Sequence, residues 1–150
     1  MSAVWAVVWR LAVVGALFVF MEGVAWFTHK YVMHGFLWVL HEDHHYPKHR
    51  GWQKNDWFAV FFATISFALI VAGMFNGFSL LFWMGIGIMA YGVAYTAFHE
   101  VIFHRRIRIS YRPTTGYMGR LIRAHAAHHR LSHAHDGVAF SFLYPDRRYA

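Results

Sequence analysis

Residues 29–45 read "HKYVMHGFLWVLHEDHH", five histidines in seventeen residues, directly behind the run "WAVVWRLAVVGALFVFMEGVAWF" of residues 5–27. That run carries only Arg10 and Glu22 as charges and exceeds the ~20 apolar residues needed to cross a bilayer core. The fold must therefore bring many imidazoles to the edge of an apolar layer. There a ring nitrogen without a partner is costly.

The rest of the chain agrees with a membrane setting. It is 58% hydrophobic with only 14% charged residues, against about a quarter charged in soluble domains, and its mean hydropathy is +0.32. At 150 residues one domain over 1–150 is expected, with no room for a separate cofactor-binding module. Cysteine is absent, which excludes disulfides, thiolate zinc sites and iron–sulfur clusters. A net charge of +7 suits anionic lipid, an acidic protein or nucleic acid, and the hydropathy sets nucleic acid aside.

An all-α integral membrane protein of about three to four transmembrane helices with a histidine-rich di-metal cap is expected, and two further spans can be placed. One runs from Trp57 to Phe75 after an N-cap at Asn55 or Asp56, and ends at the turn dipeptide Asn76-Gly77. The next, Phe78 to Phe98, follows almost without a loop, so the pair should form a tight antiparallel hairpin. The first run lacks the basic start and small-residue cleavage site of a signal peptide. Three crossings leave all thirteen histidines, and every Lys and Arg except Arg10, on one side. The positive-inside rule makes that side cytoplasmic. Arg10 is expected to snorkel to the opposite interface, and Glu22 to make a polar contact between spans. The basic segment "RRIRISYRP" is expected at the interface as a helix ended by Pro113, a further helix is expected from Tyr117 to Leu131, and the tail "DGVAFSFLYPDRR" reads as a turn and an extended piece packing back on the site.

The histidines repeat. His29 and His34 are spaced HxxxxH and His41, His44 and His45 HxxHH; His99 and His104, then His125, His128 and His129, repeat both spacings. Two half-sites of five, one from each half of the chain, are expected. On an α-helix HxxHH puts its members on one face, and one such face can reach two metals. A five-residue step instead rotates about 140°, so each HxxxxH pair either straddles a widened turn or serves two metals. Metal coordination resolves the cost of so many unsatisfied imidazoles. Ten nitrogens exceed the four of a zinc site and fit two five-ligand metals with one open octahedral position each, iron before copper. His49, His133 and His135 fall outside the pattern, and of these His135 is the best placed to approach the site. Glu42, Asp43 and Glu100 adjoin ligands, and each is either an acceptor for an imidazole N–H or a solvated charge.

The motifs "WFTHKYVMHG", "HEDHH", "NDWFAVFFA", "FHEVIFHRR", "RAHAAHHR" and "DGVAFSFLYP", from Trp26 to Pro145, resemble those of the bacterial β-carotene hydroxylase family, within the wider membrane fatty acid hydroxylase superfamily. The resemblance implies a non-haem di-iron monooxygenase with O₂ as co-substrate. It would hydroxylate C3 of β-ionone rings, taking β-carotene through cryptoxanthin to zeaxanthin. It also implies His29, His34, His41, His44, His45, His99, His104, His125, His128 and His129 as ligands. The chain has no Rossmann glycine fingerprint, so electrons are expected from ferredoxin and its reductase, docking on the basic face; the membrane would be the bacterial inner membrane. The alternatives are a membrane fatty acid or sterol hydroxylase or desaturase and, from another class, a histidine-rich metal transporter.

Overall fold

The computed structural model describes residues 2–49, 51–130, 138–145 and 148. His133 and His135 lie outside them. The described residues contain helices and irregular segments and no strand, as an all-α membrane protein requires. The chain divides into two compact units, Met1–Met21 with Phe58–Ala94 and Glu22–Trp57 with Tyr95–Ala150.

The first unit is a helical packing. It contains most of helix α1 (Ala3–Phe27). Three helical stretches are long and apolar enough to cross a membrane: Ala3–Phe36, Asp56–Phe75 and Leu80–Phe103. No fourth is found among the described residues. Large apolar side chains on their outer faces, such as Phe20 and Phe67, are exposed, as lipid-facing positions are. The later helices, α3 (Asp56–Phe75) and α4 (Leu80–Tyr95), form the expected hairpin. Gly77 and Phe78 turn it with positive φ, and a Cβ on Gly73 would lie 2.2 Å from the Phe82 backbone nitrogen. Missing side chains therefore set how closely these helices approach. Gly87 does the same for α1 on α4: its Cβ would lie 2.6 Å from Leu17 Cβ. Arg10 sits with its guanidinium 5.1 Å from the Trp83 ring centre, a cation–π contact within the first unit.

The second unit holds the histidines. Beyond α1 the helix widens into a π segment, Thr28–Phe36. Gly35 breaks it with non-helical backbone angles, and α2 (Trp38–His45) follows. The α4 helix likewise widens into a π segment, Thr96–Phe103. His29, His34 and His99 therefore belong to helices continuous with two of the candidate spans, where all ten ligand positions were expected beyond the spans. Residues 104–115 are irregular, so the expected helix over "RRIRISYRP" does not form. Arg105 takes φ +55°, which stops helix propagation before Pro113 is reached. The α5 helix spans Gly116–His129.

The tail returns as expected. Phe142 and Leu143 donate their backbone N–H groups to Glu22 Oε1 at 2.9 and 2.7 Å, and Tyr117 OH donates to the Leu143 carbonyl. Glu22 thus anchors the tail, because two adjacent N–H groups offer a carboxylate a charge-assisted site.

Candidate metal centre

The π segments resolve the HxxxxH spacing. His104 N–H bonds the His99 carbonyl at 3.0 Å, and Leu37 N–H bonds the Val32 carbonyl at 2.9 Å, both i→i−5. A five-residue step in such a turn stacks residues on one face, as four does in an α-helix. His29 and His34 therefore point together, with ring centres 5.1 Å apart, as do His99 and His104 at 4.7 Å. The widened-turn alternative is the one the chain adopts.

Ligand-capable nitrogens then gather into two sets, each with all its atoms within 4.8 Å of one another: His29, His34, His41, His45 and His128, and His44, His99, His104 and His125. The His129 ring lies 4.5 Å from that of His125, 4.6 Å from His104 and 4.3 Å from His45. The two halves of the chain do not each build one site, as expected. They exchange one histidine each. Positions 41 and 45 lie about 40° apart round an α-helix while 44 sits about 60° to the other side, so α2 sends His41 and His45 to one set and His44 to the other. The α5 helix repeats this, with His128 crossing over. Under the sequence repeat, the first set maps onto His99, His104, His125, His44 and His129, which gives His129 the equivalent place in the second.

Hydrogen bonds fix which ring nitrogens face inward. Through Nδ1–H, His29 donates to the Phe140 carbonyl (3.2 Å), His41 to Asn55 Oδ1 (2.7 Å), His44 to Gln53 Oε1 (3.2 Å), His99 to Glu100 Oε1 (2.6 Å) and His128 to the Val138 carbonyl (2.8 Å). Each thereby presents an Nε2 lone pair. The His29 and His41 Nε2 atoms lie 3.2 Å apart, two lone pairs with no proton between them, a repulsive arrangement unless a cation is shared. Two nitrogens bound cis to one metal at 2.0–2.1 Å lie about 3 Å apart, and trans ones about 4 Å. The His29–His41 and His34–His128 Nε2 separations, 3.2 and 3.1 Å, match the cis value. His44 Nε2, both ring nitrogens of His45 and His129 Nε2 are buried without a hydrogen-bond partner among the described residues, a cost that coordination removes.

Burial also keeps the rings neutral. It holds His41, His44, His125 and His129 well below the ordinary imidazole range, with neighbouring imidazoles pushing the same way. His45 falls to about 4, and His104 and His128 to about 3, for the same reasons. Neutral imidazole is the form that binds metal.

Of the expected acceptors, Glu100 holds His99. Glu42 is exposed, and Asp43 accepts from the Lys54 backbone N–H at 2.6 Å; neither reaches an imidazole. His49 is exposed. Sequence reasoning missed Gln53 and the true role of Asn55, both buried. Asn55 read as a helix cap, and its side chain turns to His41 instead. A cavity of about 240 Å³ opens on the second set, lined by Pro47, Phe103, Ile122 and Ala126 together with His44, His45, His104, His125 and His129.

Membrane-length helices joined to two convergent imidazole sets, each able to hold a metal ion, define a polyhistidine membrane protein. The chain belongs to the fatty acid hydroxylase family, whose model matches residues 14–148. It is 42% identical over 124 residues to the β-carotene hydroxylase of Pseudescherichia vulneris, covering 83% of this chain and 70% of that protein. It is 39% identical to the β-carotene hydroxylase of Pantoea ananas, covering 91% of this chain and 78% of that protein. Identity to the β-carotene hydroxylase of a Paracoccus species (strain PC1) is 34%, covering 90% of this chain and 83% of that protein. No solved structure matches the chain.

Proposed function

We propose that this protein hydroxylates C3 of the β-ionone rings of β-carotene, giving β-cryptoxanthin and then zeaxanthin, at a centre of two iron ions. One observation carries the reading: two convergent imidazole sets in a chain 34–42% identical to three bacterial β-carotene hydroxylases over most of its length. The first iron is assigned to His29, His34, His41, His45 and His128, the second to His44, His99, His104 and His125 with His129. Iron in such a site supplies dioxygen activation and removal of a hydrogen from an unactivated carbon.

The chain's own residues do the rest. Nδ1–H bonds to protein oxygens hold the Nε2 lone pairs inward, and burial keeps the rings unprotonated. Phe103, Ile122, Ala126 and Pro47 give the cavity beside the second set an apolar wall that suits a hydrocarbon ring. One oxygen atom of O₂ enters the product and the other leaves as water, which takes two electrons and two protons. The chain has no cysteine, and the electrons come from reduced ferredoxin, itself reduced by its reductase, docking on the arginine-rich face. The substrate enters from the bilayer of the bacterial inner membrane, with the site on the cytoplasmic side.

The test is expression in cells that accumulate β-carotene, with His128→Ala alongside, followed by chromatography of the pigments. Zeaxanthin or β-cryptoxanthin from the parent chain alone supports the reading. Unchanged pigment with altered fatty acids or sterols would move the membrane fatty acid or sterol hydroxylase or desaturase reading into its place. Readily exchanged metal with no O₂ consumption would point to the transporter.

A further inference from the structure

Arg10 is the one charged side chain of the first compact unit. Residues 1–21 and 58–94 hold no Asp, Glu, Lys or second Arg, and all seven acidic residues of the chain lie outside them. Arg10 stands about 10 Å along the axis from Ala3, where α1 begins. Its guanidinium lies 5.1 Å from the Trp83 ring centre and 6.0 Å from that of Trp9. Such contacts attract a cation without neutralising it, and an uncompensated charge among apolar membrane helices is costly. Three donors here also lack acceptors: Arg10 Nε, Trp83 Nε1 and Ser79 Oγ are buried with no hydrogen-bond partner among the described residues. Ser79 directly precedes α4, four positions before Trp83, and positions four apart share a helix face. Each of the three residues keeps part of its surface exposed, so an acceptor can come from outside the chain. A neutral acceptor would satisfy the hydroxyl and the indole, but only an anion also offsets Arg10. The arginine fork matches phosphate oxygens, and the indole N–H and the hydroxyl add two further donors.

We propose that Arg10, Trp83 and Ser79 bind the phosphate of an anionic phospholipid, in the leaflet that holds the α3–α4 turn at Gly77 and Phe78. Where a membrane helix ends, the surrounding anions are lipid headgroups, and the aliphatic stem of an arginine lets its guanidinium reach them from within the apolar layer. The lipid supplies the counterion that the first unit lacks in its own sequence. Phosphatidylcholine suits the site less well than phosphatidylglycerol, because its choline brings a second positive charge with the phosphate.

The test is thermal unfolding of the full chain, purified in a nonionic detergent, with phosphatidylglycerol, phosphatidylcholine or inorganic phosphate added. Phosphatidylglycerol should raise the midpoint of the parent chain by about 5 °C, phosphatidylcholine by less, and inorganic phosphate not at all. In Arg10→Gln the gain from phosphatidylglycerol should shrink to that from phosphatidylcholine. The midpoint of this variant without lipid should not fall, because the substitution removes an uncompensated charge. Trp83→Phe keeps a ring beside Arg10 and removes the indole N–H; it should lose part of the gain, and it carries the test should Arg10→Gln fail to fold. An undiminished gain in Arg10→Gln overturns the site: with the lipid-free midpoint unchanged, the lipid sits on the basic residues of the second unit, and with it lowered, Arg10 is purely structural. No gain in the parent chain, or a full gain in Trp83→Phe, overturns it as well. An equal gain from inorganic phosphate makes the ligand a free anion and overturns the lipid assignment.

Discussion

An imidazole offers a metal its lone pair only when the proton stays on its other nitrogen, and for His29, His41, His44 and His128 that choice is made by residues outside the histidine motifs. Asn55 holds the His41 proton from fourteen positions away, and the Val138 carbonyl holds that of His128 from ten. The ten ring positions were legible in the chain as a duplicated spacing. Apart from Glu100, beside His99, their acceptors were not, because an amide or a backbone carbonyl carries no pattern until folding brings it near. Neutrality of the rings has a direct consequence for pH. His45, His104 and His128 lie near 4, 3 and 3 when folded and near 6.5 when unfolded. Between those values the unfolded chain binds more protons, so stability rises with pH across the window. It should be fully present above about pH 6.5 and fall progressively on acidification toward pH 4. Thermal unfolding and metal content in detergent at pH 7.5, 6 and 5 check this; a midpoint and metal content that do not change across that range would contradict it.

At the scale of elements, the histidine-bearing turns are where hydropathy and spacing pulled apart. The expected spans ended near Phe27 and Phe98, but their helices run on to Phe36 and Phe103 by widening into π turns. Spacing alone left that outcome level with two-metal service by each pair. The i→i−5 bonds decide it, because only a wider turn lets both histidines of a pair reach one site. The helix contacts of the first unit were hidden for a different reason. A glycine in an apolar run reads as a weak helix former, yet Gly87 is the point where α1 meets α4. Gly87→Leu should destabilise the protein by about 1–3 kcal/mol, seen as a lower unfolding midpoint in detergent. An unchanged midpoint would show that this contact is not tight.

For the whole molecule, the decisive event is the return of the tail. Glu22 accepts two backbone N–H groups from a segment 120 residues further along, and the same segment supplies the carbonyls that orient His29 and His128. Glu22→Ala removes the acceptor of two part-buried N–H groups, at roughly 1–3 kcal/mol each, and loosens the strap. Metal retention should fall by about 10-fold or more, with Glu22→Gln milder because its amide oxygen still accepts. Equilibrium dialysis of the loaded protein against a chelator measures both. Equal retention in the parent and both variants would show that the strap does not support the site.

By itself the sequence determined the membrane-spanning helices, through apolar runs longer than a bilayer core, and the ten converging histidines, through a repeat that chance and capping do not explain. Only the tertiary structure decided how those ten divide, since the exchange of His44 and His128 depends on two short helices facing each other across the site. It alone also decided which oxygens hold the protons of His29, His41, His44 and His128. Helix length and residue spacing are local properties that a chain carries along its length. Which lone pairs meet at about 3 Å is a property of segments that become neighbours only on folding.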